Sequence, residues 1–244
     1  MGCPHFFKKA GGLNQEEYLT LPLLDRPGFF HFFGKKELSE DAVNLFSKGR
    51  FVRLLQVHGD GIVQSPTATE GRPTGDALIT DQPGTFLTIF TADCLPVIII
   101  DPNRRAIGIS HAGWKGTLLR IVAKTVSAMT QAYGSDPSSL LIGMGPRIGP
   151  CCFEVDQDVW GQIESNLDYK EGVLVRKQGG KGWISLAQLN RIQLLSAGIK
   201  PENIADTELC TRCHPNLFHS YRRNKIKGQN MVNGVGMGIT PSGG

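Results

Sequence analysis

Thr91-Ala92-Asp93-Cys94-Leu95-Pro96-Val97-Ile98-Ile99-Ile100-Asp101 and, a short way on, Ser110-His111-Ala112-Gly113-Trp114-Lys115-Gly116 carry the reading of the fold. Val97 to Ile100 is an apolar, β-branched run, the pattern of a buried strand. Asp101-Pro102-Asn103 breaks it, and Arg104 to Ser110 returns as a second strand. Pairing the two as a hairpin brings Cys94, just before the first strand, close to His111, just after the second. A thiol beside an imidazole serves a metal site or an ion pair that makes a nucleophilic thiolate. Gly113 and Gly116 suit a tight turn where a ligand approaches the backbone.

Outward from this hairpin, strands are expected at Phe29–Gly34, Phe51–Val57, 76–80, 86–90 and 140–144. Phe51–Val57 runs into His58-Gly59-Asp60, where a strand end delivers a side chain to a site. Helices are expected over Ser39–Lys48, Thr117–Tyr133, Val155–Asn166 and Ile184–Ala197, the last two interrupted by a turn at Gly179–Gly182. Residues 65–75 read as an exposed loop, and the glycine-rich tail from Gly234 as a final strand. His31, between phenylalanines, reads as a core or half-buried group. Residues 1–24 read as an N-terminal leader and 25–240 as one catalytic domain. Cys3 and His5 fall in the leader, where a mobile terminus is the simpler reading.

The 244 residues allow a sizeable core, and the formal charge of +4 is too weak to argue for nucleic acid. The six cysteines make a poor disulfide framework for this length, which favours a reducing compartment. Met1 to Gly12 lacks the apolar core of a secretory signal, and no apolar run is long enough to cross a bilayer. A cytoplasmic protein is expected.

Three constellations carry chemistry. His58, Cys94 and His111 offer two imidazoles and a thiolate, a set that suits zinc and leaves a fourth position open. Cys210-Thr211-Arg212-Cys213-His214 is a C-x-x-C that fits half a zinc site, a redox pair or two thiols on a turn. Its match to the haem attachment pattern is set aside because no export signal is read. Lys115, Arg222 and Arg223, with Arg147 in the rigid loop Gly145–Pro150, are candidates to hold an anion. If Arg222 and Arg223 lie on a strand they face opposite ways, so one of them at most reaches a given site. Asp93 is a candidate to orient a histidine, to act as a base, or to cap a turn.

Together Gln56-Val57-His58, Asp76-Ala77-Leu78, Thr91–Pro96, His111–Gly116, Gly145–Gly149, Cys210-Thr211 and Ser220–Arg223 resemble the YfiH/DUF152 family, also called the laccase-domain or multicopper polyphenol oxidase family. The resemblance spans about residues 25–235. It implies a single α+β domain of mixed β-sheets with flanking helices, similar in Cys/His placement to the cytotoxic necrotizing factor catalytic domain. It implies zinc, with copper as the alternative, on His58, Cys94 and His111. It also implies phosphorolysis of adenosine, inosine and methylthioadenosine, with adenosine deamination as a further activity, for which Asp93 is the candidate proton carrier. The partners implied are purine nucleosides and phosphate, with no nucleic acid and no membrane; oligomeric state is left open. Two departures stand out. Phe32-Phe33-Gly34-Lys35-Lys36 replaces a Gly-Gly-Val-Ser-like turn, and Gly228-Gln229 replaces a Gly-Arg element. The rival readings are a copper polyphenol oxidase, a thiol hydrolase using Cys94 with His111, and a non-enzymatic metal-binding module. The oxidase reading needs several coppers and many histidines, often in His-x-His pairs, whereas the chain has six histidines and no such pair.

Overall fold

The hairpin around Asp101 forms as the sequence suggests, with Leu95–Asp101 antiparallel to Ala106–Ala112 and Pro96 opposite His111. The computed structural model describes residues 15–47, 51–64, 72–166 and 174–238. In chain order its elements are β1 (Tyr18–Leu19), β2 (Phe29–Gly34), α1 (Glu40–Phe46), β3 (Phe51–Val52), β4 (Ile62–Gln64), β5 (Ala77–Thr80) and β6 (Thr85–Thr91). Then come β7 (Leu95–Asp101), β8 (Ala106–Ala112), α2 (Trp114–Leu118), α3 (Ile121–Tyr133), β9 (Leu141–Met144), β10 (Glu154–Asp156) and α4 (Gln157–Asn166). The rest are β11 (Leu174–Gln178), β12 (Lys181–Ile184), α5 (Leu186–Ser196), β13 (Ile204–Asp206), α6 (Tyr221–Asn224) and β14 (Met231–Met237).

The strands make a six-stranded sheet, β13-β9-β7-β8-β5-β4, a five-stranded sheet, β1-β2-β14-β6-β3, and a three-stranded sheet, β10-β12-β11. Parallel and antiparallel pairs mix in the two larger sheets. This is the α+β architecture expected. β7 shows why its sequence is apolar at every position rather than at alternate ones. Ile98 and Ile100 face the five-stranded sheet, packing with Leu87, Ile89 and Val235. Val97 and Ile99 face the helical layer, packing with Val122 and Val126 of α3 and Leu194 of α5. A strand buried on both faces reads as a continuous apolar run. The small sheet, with Phe153, Ile184 and Leu186 in its own apolar cluster, leans against Trp114 and Leu118 of α2.

Several expectations are corrected. Residues 18–24 are not a loose leader: Tyr18, Leu21 and Leu24 are buried, β1 pairs with β2, and Leu21 N donates to His31 Nε2 at 2.8 Å. The expected strand Phe51–Val57 holds only as β3 and an isolated bridge from Leu55 to Thr74, because the chain bends away to form the His58 turn. The single helix expected over Thr117–Tyr133 is two. It starts earlier, at Trp114, and breaks at Arg120, whose φ of 61° is left-handed. The break leaves Thr117 O for Gln193 Nε2 of α5 at 2.9 Å, while Asn190 Nδ2 donates to Thr117 Oγ1 at 3.0 Å. Residues 154–156 form a strand before α4 begins. Ser220–Arg223, read as a strand end, is a short helix capped by Ser220 Oγ on Arg223 N. Residues 65–71 of the expected loop, and Cys3 and His5, lie outside the described residues. No helix among the described residues is long and apolar enough to cross a membrane.

Candidate active site

His58, Cys94 and His111 come together as the sequence suggests. The potential ligand atoms of the three lie within 4.8 Å of one another. Cys94 sits in the turn between β6 and β7, and His111 near the end of β8. His58 occupies a turn with a left-handed φ of 59° and sets its ring edge-on to His111, with centroids 4.8 Å apart.

Asp76, fully buried one residue before β5, holds the arrangement. Its Oδ1 accepts the backbone N–H of His58 at 3.0 Å and faces His111 Nδ1 at 2.8 Å. Its Oδ2 accepts the N–H groups of Val57 at 3.2 Å and Gly59 at 2.7 Å. One carboxylate therefore shapes the turn that carries one histidine and fixes the ring of the other, directing His111 Nε2 at the cluster. Burial pushes the Asp76 carboxyl up, but these bonds outweigh it and hold it below the usual range.

Burial also pushes the Cys94 thiol up, yet the charge and hydrogen bond of His111, joined by His58, bring it down to about 6. Burial pushes the His111 imidazole down, and the Cys94 thiolate and Asp76 overcome it, raising it to about 9. Each of the two thus favours the charged form of the other. The donor set fits one metal ion: two imidazole nitrogens and a thiolate sulfur, a carboxylate behind one imidazole, and an open side. Gly113 makes room for it. A Cβ there would lie 3.0 Å from Cys94 Sγ and 3.5 Å from His58 Cδ2.

The open side is a cleft of about 960 Å³. All three residues line it, with Phe90, Trp114, Phe153 and Arg222 on its walls and Lys225, Lys227 and Arg72 toward its rim. Arg222 donates from Nη1 to Glu154 O at 2.7 Å, and its guanidinium lies 5.3 Å from the Phe153 ring centroid. Gly228 and Asn230, either side of Gln229, also border the cleft.

The other candidate anion-binding residues are elsewhere. Arg147 is buried and pairs both guanidinium nitrogens with Asp206 (Nη2–Oδ2 2.7 Å). Arg223 is occupied by the carbonyls of Thr211, Arg212 and Phe218. Lys115 is exposed and lies over the Trp114 ring, 5.6 Å from its centroid, and is not among the cleft-lining residues. Asp93 lines the cleft beside Cys94 with its carboxylate already engaged. Its carboxylate accepts Thr211 Oγ1 at 2.5 Å, Ser220 Oγ at 3.1 Å and Arg222 N at 2.6 Å, so it clamps the chain around α6 to the Cys94 turn. Asp76 is the residue that reasoning from sequence gave no role. Its signal is a carboxylate directly ahead of the apolar run Ala77-Leu78-Ile79, a costly position unless several donors converge on it.

A family model described as multi-copper polyphenol oxidoreductase laccase matches residues 6–237. A purine nucleoside phosphorylase from Deinococcus radiodurans is 37% identical over 228 residues, which is 92% of this chain and 85% of that protein. The adenosine deaminase RL5, from an unknown prokaryotic organism, is 34% identical over 161 residues, 66% of this chain and 60% of that protein. The mouse purine nucleoside phosphorylase LACC1 is 35% identical over 155 residues, 62% of this chain, and the chain spans only 35% of that protein's length. Among solved structures, YlmD from Geobacillus stearothermophilus matches with a TM-score of 0.84 at 27% identity, covering 96% of this chain and 99% of that one.

Proposed function

The chain belongs to the multi-copper polyphenol oxidoreductase laccase family, and we propose from that premise that it is a zinc-dependent purine nucleoside phosphorylase with adenosine deamination as a further activity. The observation that carries this reading is the His58–Cys94–His111 cluster, backed by Asp76, lining a cleft that combines aromatic walls with the Arg222 guanidinium. A mixed imidazole and thiolate set with three protein ligands and an open side suits a catalytic zinc. A multinuclear copper centre has no support among the described residues, where the other candidate cluster consists of cysteines alone. The free thiols at Cys94, Cys151, Cys152, Cys210 and Cys213 fit a reducing, cytoplasmic setting.

In phosphorolysis the bond from C1′ of the ribose to the purine breaks as an oxygen of hydrogen phosphate bonds to C1′. The purine leaves with the electron pair and takes the proton that the phosphate loses. The chain must therefore hold an anion against a flat apolar base. Trp114 and Phe90 offer faces for the base. Arg222 offers a guanidinium for phosphate, and Asp93 fixes its backbone in advance through Arg222 N, so little reorganisation is needed on binding. Lys225 and Lys227, exposed at the rim, favour anion entry. His58, Cys94 and His111 would hold the zinc, which when bound supplies Lewis acidity toward the purine or a water. Asp76 keeps His111 in the tautomer that presents Nε2.

The test gives adenosine and inosine to protein of known metal content, with and without phosphate, and separates the products. Phosphate-dependent release of adenine and hypoxanthine, lost in Cys94→Ala and His58→Ala, supports the reading. Inosine and ammonia from adenosine without phosphate would make deamination the main chemistry. Activity that survives full metal removal but not thiol alkylation would replace both with thiol hydrolysis.

A further inference from the structure

Four cysteines that the cleft does not use converge elsewhere. Cys151 and Cys152 close the Gly145–Pro150 loop, and Cys210 and Cys213 form the C-x-x-C. Their four sulfurs all lie within 4.8 Å of one another. Cys213 Sγ is 3.6 Å from Cys151 Sγ and 3.4 Å from Cys152 Sγ. A tetrahedral ion that binds sulfur at about 2.3 Å sets its ligand sulfurs about 3.8 Å apart, so these spacings are close to those of a filled site.

The surroundings suit a thiolate at Cys210. Gly149 N donates to the buried Cys210 Sγ at 3.2 Å, and the backbone N–H of Cys213 also reaches that sulfur. Gly149 fits closely here: a Cβ would lie 3.2 Å from Cys210 Cβ and 3.3 Å from Cys151 Sγ. Arg223, laid on the carbonyls of Thr211 and Arg212 inside the C-x-x-C, brings positive charge beside the cluster. His214 takes no part, because its Nδ1 is turned onto Cys210 O at 2.8 Å.

We propose that Cys151, Cys152, Cys210 and Cys213 form a second metal site, a closed tetrathiolate zinc site that staples two loops distant in sequence. Four protein ligands leave no position for substrate, so the site is structural. What it braces is the back of the cleft. In the first loop, Ile148 N donates to Asp93 O at 2.9 Å. In the second, Thr211 Oγ1 donates to the Asp93 carboxylate. Both loops thus end on the residue beside Cys94. The inference stands apart from the phosphorylase reading, since it concerns metal content and not turnover.

The experiment measures zinc per chain by elemental analysis in the full-length protein, after saturation with Zn²⁺ and gel filtration. The wild type is expected to hold two zinc ions, Cys94→Ser one, Cys213→Ser one, and the double variant none. Replacement by Co²⁺ in Cys94→Ser should give the strong thiolate-to-cobalt charge-transfer absorption of a tetrathiolate centre. If Cys213→Ser does not fold, zinc content and the cobalt spectrum of Cys94→Ser still decide. Zinc absent from Cys94→Ser would overturn the proposal. So would iron in place of zinc at the four cysteines, or a wild type whose mass is short of two hydrogens because two of these cysteines have joined.

Discussion

Asp76 bonds three consecutive backbone N–H groups on one side and the His111 ring on the other. Asp76→Asn keeps the shape but loses the charge and one of the acceptor oxygens. Zinc affinity at His58, Cys94 and His111 should fall by roughly 10- to 100-fold, measured by competition with a chelator of known affinity. The arginines separate by the same reasoning. Arg222→Ala should raise the KM for phosphate and lower kcat/KM by roughly a hundredfold, about 3 kcal/mol, while Lys115→Ala stays near wild type. Arg147→Ala should instead lower stability by about 2 kcal/mol in urea unfolding, because it strands Asp206 without its partner. At this scale the thiol–imidazole pair was legible, since an apolar run, a break and a returning strand suffice to place Cys94 beside His111. The division of labour among the arginines was not. All are candidate anion holders by residue type, and only the tertiary partners, Asp206 for Arg147 and three carbonyls for Arg223, tell them apart.

Among the elements, β14 shows how glycine sets packing. A Cβ on Gly234 would lie 2.4 Å from Phe86 Cε1 and 3.0 Å from Phe32 Cε1, between two stacked rings with centroids 5.6 Å apart. Gly234→Ala should therefore destabilise the fold by about 1–3 kcal/mol, read as a lower Tm. The tail was legible as a strand but not as the central partner of β2 and β6, because pairing between chain ends leaves no local mark. α3 and α5 were legible from their 3.6-residue period. α6 was not, since four residues are too few to show a period and the Ser220 cap is its main signal. The break between α2 and α3 was likewise hidden. It depends on Asn190 and Gln193 of α5 taking up the groups that the broken helix exposes.

For the whole molecule, His31 couples stability to pH. Burial lowers its imidazole to about 4, and the unprotonated Nε2 accepts a hydrogen bond from Leu21 N. The unfolded chain takes up that proton near pH 6.5 and the folded chain does not, so stability falls as pH drops from about 6.5 toward about 4. The loss should reach about 3 kcal/mol, and the difference in urea unfolding between wild type and His31→Gln across that window measures it. The six- and five-stranded sheets place the Cys94 turn at the ends of β6 and β7, and the small sheet with α6 supplies the far wall. The central claim is that this cleft joins phosphate to a purine nucleoside's ribose. The most direct measurement is phosphorus NMR of inosine and inorganic phosphate incubated with zinc-loaded protein. The account predicts a ribose 1-phosphate resonance that grows in step with hypoxanthine and is absent in His58→Ala. Hypoxanthine released with free ribose and unchanged phosphate, or no release at all from fully metal-loaded protein, would contradict it.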